Sequence, residues 1–203
     1  ITEYLENRSD DVIINVLPLS FDYGLYQLLM AFKIGGRLVL EKSFTYPGKI
    51  IDLIEKEKVT GIPGVPTIFA ILLSMKNLEK RDFSSIRYIT NTAAALPVTH
   101  IERLRKLFKN ARIYSMYGLT ECKRVTYLPP SELDRMPTSV GRGMPNEEVY
   151  LIDENGNRIG PEGGMGELVV RGSNVMKGYW NNPEETARYL RPGKYPWELE
   201  LHT

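Results

Sequence analysis

Tyr114-Ser115-Met116-Tyr117-Gly118-Leu119-Thr120-Glu121 is the stretch on which the fold turns. Ala111 to Met116 is a short apolar run, which predicts a strand, and Gly118 gives the backbone room to leave a sheet sharply. The side chains that follow are then expected to project from the strand's carboxyl end, where ligands sit in open α/β sheets. A ring at Tyr117 is suited to stacking on a purine, worth about 1 to 3 kcal/mol per base in other settings. Thr120 offers a hydroxyl to a phosphate oxygen, and Glu121 offers the hard oxygen that magnesium prefers. Taken alone, the stretch is read more economically as a core ring and a surface carboxylate, so the rest of the chain has to decide.

Outward from it, Asp11 to Tyr114 alternates short β-rich runs with segments of helical periodicity, which predicts an α/β fold with a parallel sheet covered by helices. Val12 to Leu17 reads as the first strand, closed by Pro18. Tyr23 to Lys33 carries Leu25, Leu28, Leu29 and Phe32 at helical spacing, with Gly35-Gly36 as its stop. Arg37 to Leu40 is the next strand, and Pro47 opens a helix whose inward residues are expected to be Ile50, Leu53 and Ile54. A strand near Gly61 to Pro63, a helix near Thr67 to Met75 and a strand at Ile86 to Asn91 follow. Pro97 to Lys109 is an amphipathic helix buried through Ile101, Leu104, Leu107 and Phe108; its outer face bears Arg103, Lys106 and Lys109, ordinarily a solvated arrangement. After Tyr127-Leu128-Pro129-Pro130 the pattern changes to strands joined by Gly-rich turns, at Val149 to Ile152, Asp153 to Asn157 and Gly166 to Arg171. The expected organisation is an α/β part over residues 1–136 and a small antiparallel β unit over 137–203.

Length and composition are those of an ordinary soluble protein: 203 residues, 42% hydrophobic, 25% charged, net charge +1. Nothing in the charge balance points to nucleic acid. One cysteine, Cys122, excludes an internal disulfide and a zinc-type cluster, which is compatible with a reducing, cytoplasmic setting. No apolar run approaches the roughly 20 residues of a transmembrane helix. With two histidines far apart, His100 and His202, neither a histidine metal site nor a nucleophilic triad is supported.

Gly166-Glu167-Leu168-Val169-Val170-Arg171-Gly172, followed by Gly178-Tyr179-Trp180-Asn181-Asn182-Pro183-Glu184-Glu185-Thr186, resembles the GEL...G...GYW..PE.T signature of the adenylate-forming superfamily: acyl-CoA synthetases, amino acid adenylation domains and luciferases. Physically this segment reads as architectural, with Tyr179-Trp180 expected to pack where the β unit meets the α/β part. The opening stretch resembles the family's YG.TE motif. The resemblance implies that Tyr117 and Gly118 lie against the adenine, Thr120 contacts the α-phosphate, and Glu121 holds magnesium. Asn91-Thr92-Ala93-Ala94-Ala95-Leu96-Pro97 stands where relatives carry a glycine- and alanine-rich turn lining the adenine pocket. Ala93, Ala94 and Ala95 fit that role, and close helix packing explains them as well. Phe21-Asp22 stands where acyl-activating relatives border the acyl pocket and where amino-acid-activating relatives hold the substrate ammonium; Asp22 is also a natural cap for a helix starting at Tyr23.

By this resemblance the chain is expected to be an internal fragment of an ATP-dependent ligase that joins a small-molecule carboxylate to a thiol. The thiol would be coenzyme A or a carrier-protein phosphopantetheine arm, with an acyl-adenylate as intermediate. An acyl-CoA synthetase is the first expectation, and an amino acid adenylation domain the second. A non-catalytic AMP/ATP-binding module and a bare scaffold are the readings from other classes. The family's phosphate loop, the Gly-Asp that holds the ribose and the carboxy-terminal lysine domain are not found, so this piece alone is expected to be inactive.

Overall fold

Val12–Asn15 (β1) is buried along its whole length, as a strand must be when both faces of a parallel sheet are covered. The structure, a computed structural model, describes residues 1–160 and 163–203. They divide into two units, Ile1–Tyr117 with Leu128–Gly141, and Gly118–Tyr127 with Arg142–Thr203.

In the first unit β1 is followed by α1 (Asp22–Ile34), β2 (Arg37–Leu40), α2 (Pro47–Lys56), β3 (Gly61–Gly64), α3 (Pro66–Ser74), β4 (Tyr88–Asn91), α4 (Val98–Leu107) and β5 (Arg112–Leu119). The strands are parallel and lie in the order β2-β1-β3-β4-β5. This doubly wound order reverses between β1 and β3, so a crevice is expected at the carboxyl ends beside the loop that leaves β1. The register sets Gly64 opposite Asn91 and Asn91 opposite Ser115, so the loops after β3 and β4 leave the sheet at one level.

Side chains alternate across the sheet. Val12, Ile14, Ile62, Ile89 and Ile113 face a core completed by Ile50, Ile54, Phe69, Leu72, Ile101 and Leu104 of α2, α3 and α4. On the other face, the Tyr4 hydroxyl donates to Met116 Sδ at 3.2 Å and the Tyr4 ring lies 6.0 Å from that of Tyr114.

The leucine spacing read in α1 does not mark its buried stripe. Leu25, Leu29 and Phe32 are exposed, Phe32 at 70%, and the buried stripe is Tyr23, Gln27, Met30 and Ala31. Two helical stripes coexist in this segment, and the one with fewer leucines wins because its polar atoms find partners. The Tyr23 hydroxyl meets Thr90 Oγ1 at 2.6 Å, and Gln27 Nε2 donates to the Tyr23 carbonyl at 3.0 Å. Gly24 lets the helix approach: a Cβ there would stand 2.2 Å from the Pro18 carbonyl oxygen. The expected cap is also displaced, since Asp22 is the first helical residue and Phe21 occupies the cap position with no side-chain cap bond. Gly35 ends the helix as expected, in the left-handed conformation at φ 68°.

In the second unit β6 (Cys122–Tyr127) pairs antiparallel with β7 (Arg142–Gly143). A four-stranded antiparallel sheet has the order β10-β11-β9-β8, formed by β8 (Glu147–Ile152), β9 (Glu167–Gly172), β10 (Leu190–Pro192) and β11 (Leu199–His202). The short helix α5 (Pro183–Tyr189) precedes β10. The turn read at Asp153 to Asn157 is present, with the Asp153 carboxylate accepting from Asn155 N at 2.9 Å and Asn157 N at 2.8 Å.

Candidate functional site

At the carboxyl end of the first unit's sheet, the loop after β4 is built as a ledge. Asn91 and Thr92 are buried, and Asn91 Nδ2 donates to the Ala94 carbonyl at 2.9 Å. Leu96 anchors the far side in the core, leaving Ala93, Ala94 and Ala95 exposed between the anchors. Their methyl groups therefore do not pack under a helix, which removes the packing explanation for an alanine run. Ala93 holds φ 72°, a left-handed conformation that costs a non-glycine residue about 1 to 2 kcal/mol. Strain of this kind persists where surrounding bonds over-determine the backbone, and it clusters at functional loops.

The loop after β1 rises beside it. Phe21, exposed, sets its ring edge-on to that of Tyr23 at 6.4 Å, and Tyr23 is bonded to the end of β4 through Thr90. Tyr23 therefore holds the Phe21-Asp22 loop and the alanine ledge in fixed relation. Sequence reading missed it, because a tyrosine at the start of an apolar helix gives no sign of a partner 67 residues away. Tyr117, on the sheet face of Ile113 and Ser115, is half-exposed and is not sealed among aliphatic neighbours.

In the second unit, Thr120 and Glu121 form the turn into β6, and Thr120 is exposed. Glu121 Oε1 accepts from the Tyr179 hydroxyl at 2.7 Å, and its backbone carbonyl accepts from Met176 N at 2.8 Å. Tyr179 is in turn fixed by α5: its N–H donates to Thr186 Oγ1 at 2.8 Å, Thr186 Oγ1 donates to the Asn182 carbonyl at 2.7 Å, and Asn182 Oδ1 caps the helix at Glu185 N. Gly178, at φ 140°, has Thr186 Cγ2 only 2.8 Å from where a Cβ would be. The signature segment thus delivers one phenol to one carboxylate. The Glu121 carboxylate raises the Tyr179 hydroxyl to about 12, so the phenol stays a donor across the physiological range. Trp180, expected to be packed, is 91% exposed; Tyr179 takes the inward contact of that turn, against the Tyr189 ring at 6.2 Å.

Gly118 is also corrected. It does not mark a bend, because β5 continues through it to Leu119. Its missing side chain serves a close approach, since a Cβ would lie 2.8 Å from both Arg124 Cα and Arg124 N. Those are backbone atoms and cannot swing aside. Gly118→Ala is therefore expected to cost about 1 to 3 kcal/mol, read as a lowered midpoint in urea with an unchanged m-value; an unaltered midpoint would show that the approach relaxes freely.

Among the described residues no group of three His, Cys, Asp or Glu side chains is arranged to hold a metal. A lone carboxylate with one oxygen engaged by a phenol fits magnesium only in the manner usual for that ion, with one or two carboxylates, several waters and substrate phosphates. Cys122 is fully buried, and burial pushes its thiol up to about 12, so it is inert as a nucleophile. None of the described helices is long and apolar enough to cross a membrane.

Residues 1–180 match the family model described as AMP-binding enzyme. A long-chain-fatty-acid–CoA ligase of Bacillus subtilis (strain 168) is 34% identical over 182 residues, covering 89% of this chain and 32% of the relative. The crystal structure of VinN superposes with a TM-score of 0.89 at 34% identity, covering all of this chain and 48% of VinN. The O-succinylbenzoate coenzyme A synthetase of Bacillus subtilis, solved in complex with AMP, superposes at 0.85 with 27% identity, over all of this chain and 39% of that one. The chain spans about a third of the length of the curated relative.

Proposed function

Because this chain belongs to the family of AMP-binding enzymes, we propose that it supplies the adenine-facing, carboxylate-facing and metal-facing loops of an acyl-CoA synthetase. The observation that carries the proposal is the loop after β4: exposed alanines, held in a strained backbone by a buried asparagine, stand at the end of a doubly wound sheet where ligands sit in such folds. Ala93, Ala94 and Ala95 are assigned to the adenine, as are Tyr117 and Gly118. Thr120 donates to an α-phosphate oxygen. Glu121, steadied by Tyr179, would hold magnesium, which would offset charge on the phosphates. Phe21 borders the acyl chain.

In the reaction a substrate carboxylate oxygen bonds to the α-phosphorus of ATP, and the bond from that phosphorus to the bridging oxygen of pyrophosphate breaks. A thiol sulfur then bonds to the acyl carbon and AMP leaves. The thiol belongs to coenzyme A; a carrier-protein arm presents the same chemistry. Charge builds on the phosphates in the first step, where prepositioned donors act most strongly.

ATP–pyrophosphate exchange, measured on the protein in its full natural length with magnesium and a panel of carboxylic acids, tests this. Exchange that requires a fatty or aromatic acid is the expected result. ATP binding without exchange for every acid would assign a sensing module instead, and no binding would leave only a scaffold. Asp22→Ala separates the substrate classes. It is expected to leave exchange with fatty acids unchanged, because an aliphatic chain carries no cation for a carboxylate to pair with, whereas loss confined to amino acid substrates would move the assignment to an adenylation domain.

A further inference from the structure

At the opposite end of the first unit's sheet lies a cavity of about 590 Å³, inside the range of about 300 to 1,000 Å³ occupied by small-molecule sites. It is an open hollow bordered by the end of α3, the segment leading into β4, the last turns of α4 and the turn before β5. Its floor is apolar: Leu73, Met75, Leu78, Phe83 and Leu107. Leu73, Leu78 and Phe83 are buried core side chains, so the floor is rigid.

Charge is distributed unevenly around its mouth. Arg81 is committed to Asp52 and Glu55, and Asp82 to Lys58 and Ser84, so these lining residues are already neutralised. What remains is Arg103, Lys106 and Lys109 from α4 and its following turn, against Glu79. Arg103 is fixed by donating Nη2 to the Leu73 carbonyl, and Lys106 and Lys109 form no ion pair among the described residues. Arg103 and Lys106, three residues apart, share one side of α4, and Lys109 stands in the turn that follows it. This is the basic stripe that the sequence alone reads as a solvated surface; the fold sets it over an apolar hollow.

We propose that this cavity binds an aliphatic monocarboxylate, with the chain on the apolar floor and the carboxylate between Lys106, Lys109 and Arg103. A neutral lipid would leave the cations unmatched, and a polyphosphate would leave the floor uncovered. The site is remote from the loops at the carboxyl ends of the strands and does not depend on their role, so a fatty acid here is an effector and not the substrate.

The probe is decanoic acid, used both unlabelled in calorimetry and as a diazirine derivative for photo-crosslinking to the full-length protein, with labelled peptides mapped by mass spectrometry. Crosslinks are expected within Leu73–Ser84 and Arg103–Asn110. The double variant Lys106→Gln/Lys109→Gln, which changes exposed residues only, is expected to weaken decanoate binding about tenfold and to remove those crosslinks while leaving the melting temperature in place. Asn110→Trp, at the exposed rim, is expected to block the cavity with the same result, and 1-decanol is expected to bind more weakly than decanoate. Crosslinks confined to the Phe21 or Ala93–Ala95 loops, or decanoate binding untouched by both variants, would overturn the proposal.

Discussion

Glu121→Gln is expected to lower magnesium-dependent adenylation about 10²- to 10³-fold, the loss typical of removing one preorganised electrostatic contact to a developing charge. The substitution keeps shape and leaves a carbonyl that still accepts from the Tyr179 hydroxyl, now at 2.7 Å from Oε1; the fold should therefore persist with an unchanged melting temperature. What disappears is the negative charge that a hard cation requires. Tyr179→Phe is the companion variant. It leaves the charge but frees Glu121 from its orienting donor, and loss of such an outer partner costs about 10- to 100-fold in metal affinity or activity, visible as a raised apparent magnesium requirement at similar maximal rate. The phenol supplies an independent readout: the Tyr179 hydroxyl, raised to about 12 by Glu121, should titrate nearer the ordinary tyrosine value of 10.0 in Glu121→Gln. Turnover that is indifferent to Glu121→Gln at limiting magnesium would take this carboxylate out of the mechanism.

The second large effect lies at the amino ends of the strands. Asp11, 2% exposed, accepts two bonds from Arg87 Nη2 at 2.9 and 2.7 Å, one from Arg8 N at 2.8 Å, one from Thr60 Oγ1 at 2.8 Å and one from Asn7 Nδ2 at 3.2 Å. Through these partners it ties the start of β1 to the segments entering β3 and β4. Burial by itself would raise the Asp11 carboxyl, but Arg87 and the neutral donors outweigh it and hold the group below its ordinary 3.8. Asp11→Ala strands Arg87, half-buried, beside unsatisfied donors and is expected to cost about 3 to 5 kcal/mol, the usual consequence of removing one partner of a buried pair. The sign with pH follows from the lowered value. The stabilisation is complete above the ordinary carboxylate range and is lost as pH falls through the depressed folded value. Chemical denaturation at stepwise lower pH should show wild-type stability declining in that acid window with a steeper slope than Asp11→Asn. Parallel slopes would mean that Asp11 is not protonated differently in the folded and unfolded chain. Specific activity of the folded fraction should not change, because these contacts stand away from the ligand end.

The sequence by itself determined the order and type of the elements, since that information is local. Period-3.6 and short β-rich runs, Pro47 opening α2, Gly35 closing α1 and the Asp153 to Asn157 turn each act within a few residues of where they are read. It also nominated the loops at the carboxyl ends of β1, β4 and β5, because residue types suited to a nucleotide recur there. Only the tertiary structure decided which stripe of α1 is buried, because Tyr23 and Gln27 qualify for the interior only once Thr90 and the helix carbonyls are in reach. It alone showed Gly118 as a place of close approach rather than a bend, Ala93–Ala95 as exposed, Trp180 as outside, and Tyr179 as the donor to Glu121 across 58 residues. Periodicity encodes which residues prefer to be hidden; which polar atoms meet, and which side chains must be absent for them to meet, is set by contacts between segments that no local pattern contains.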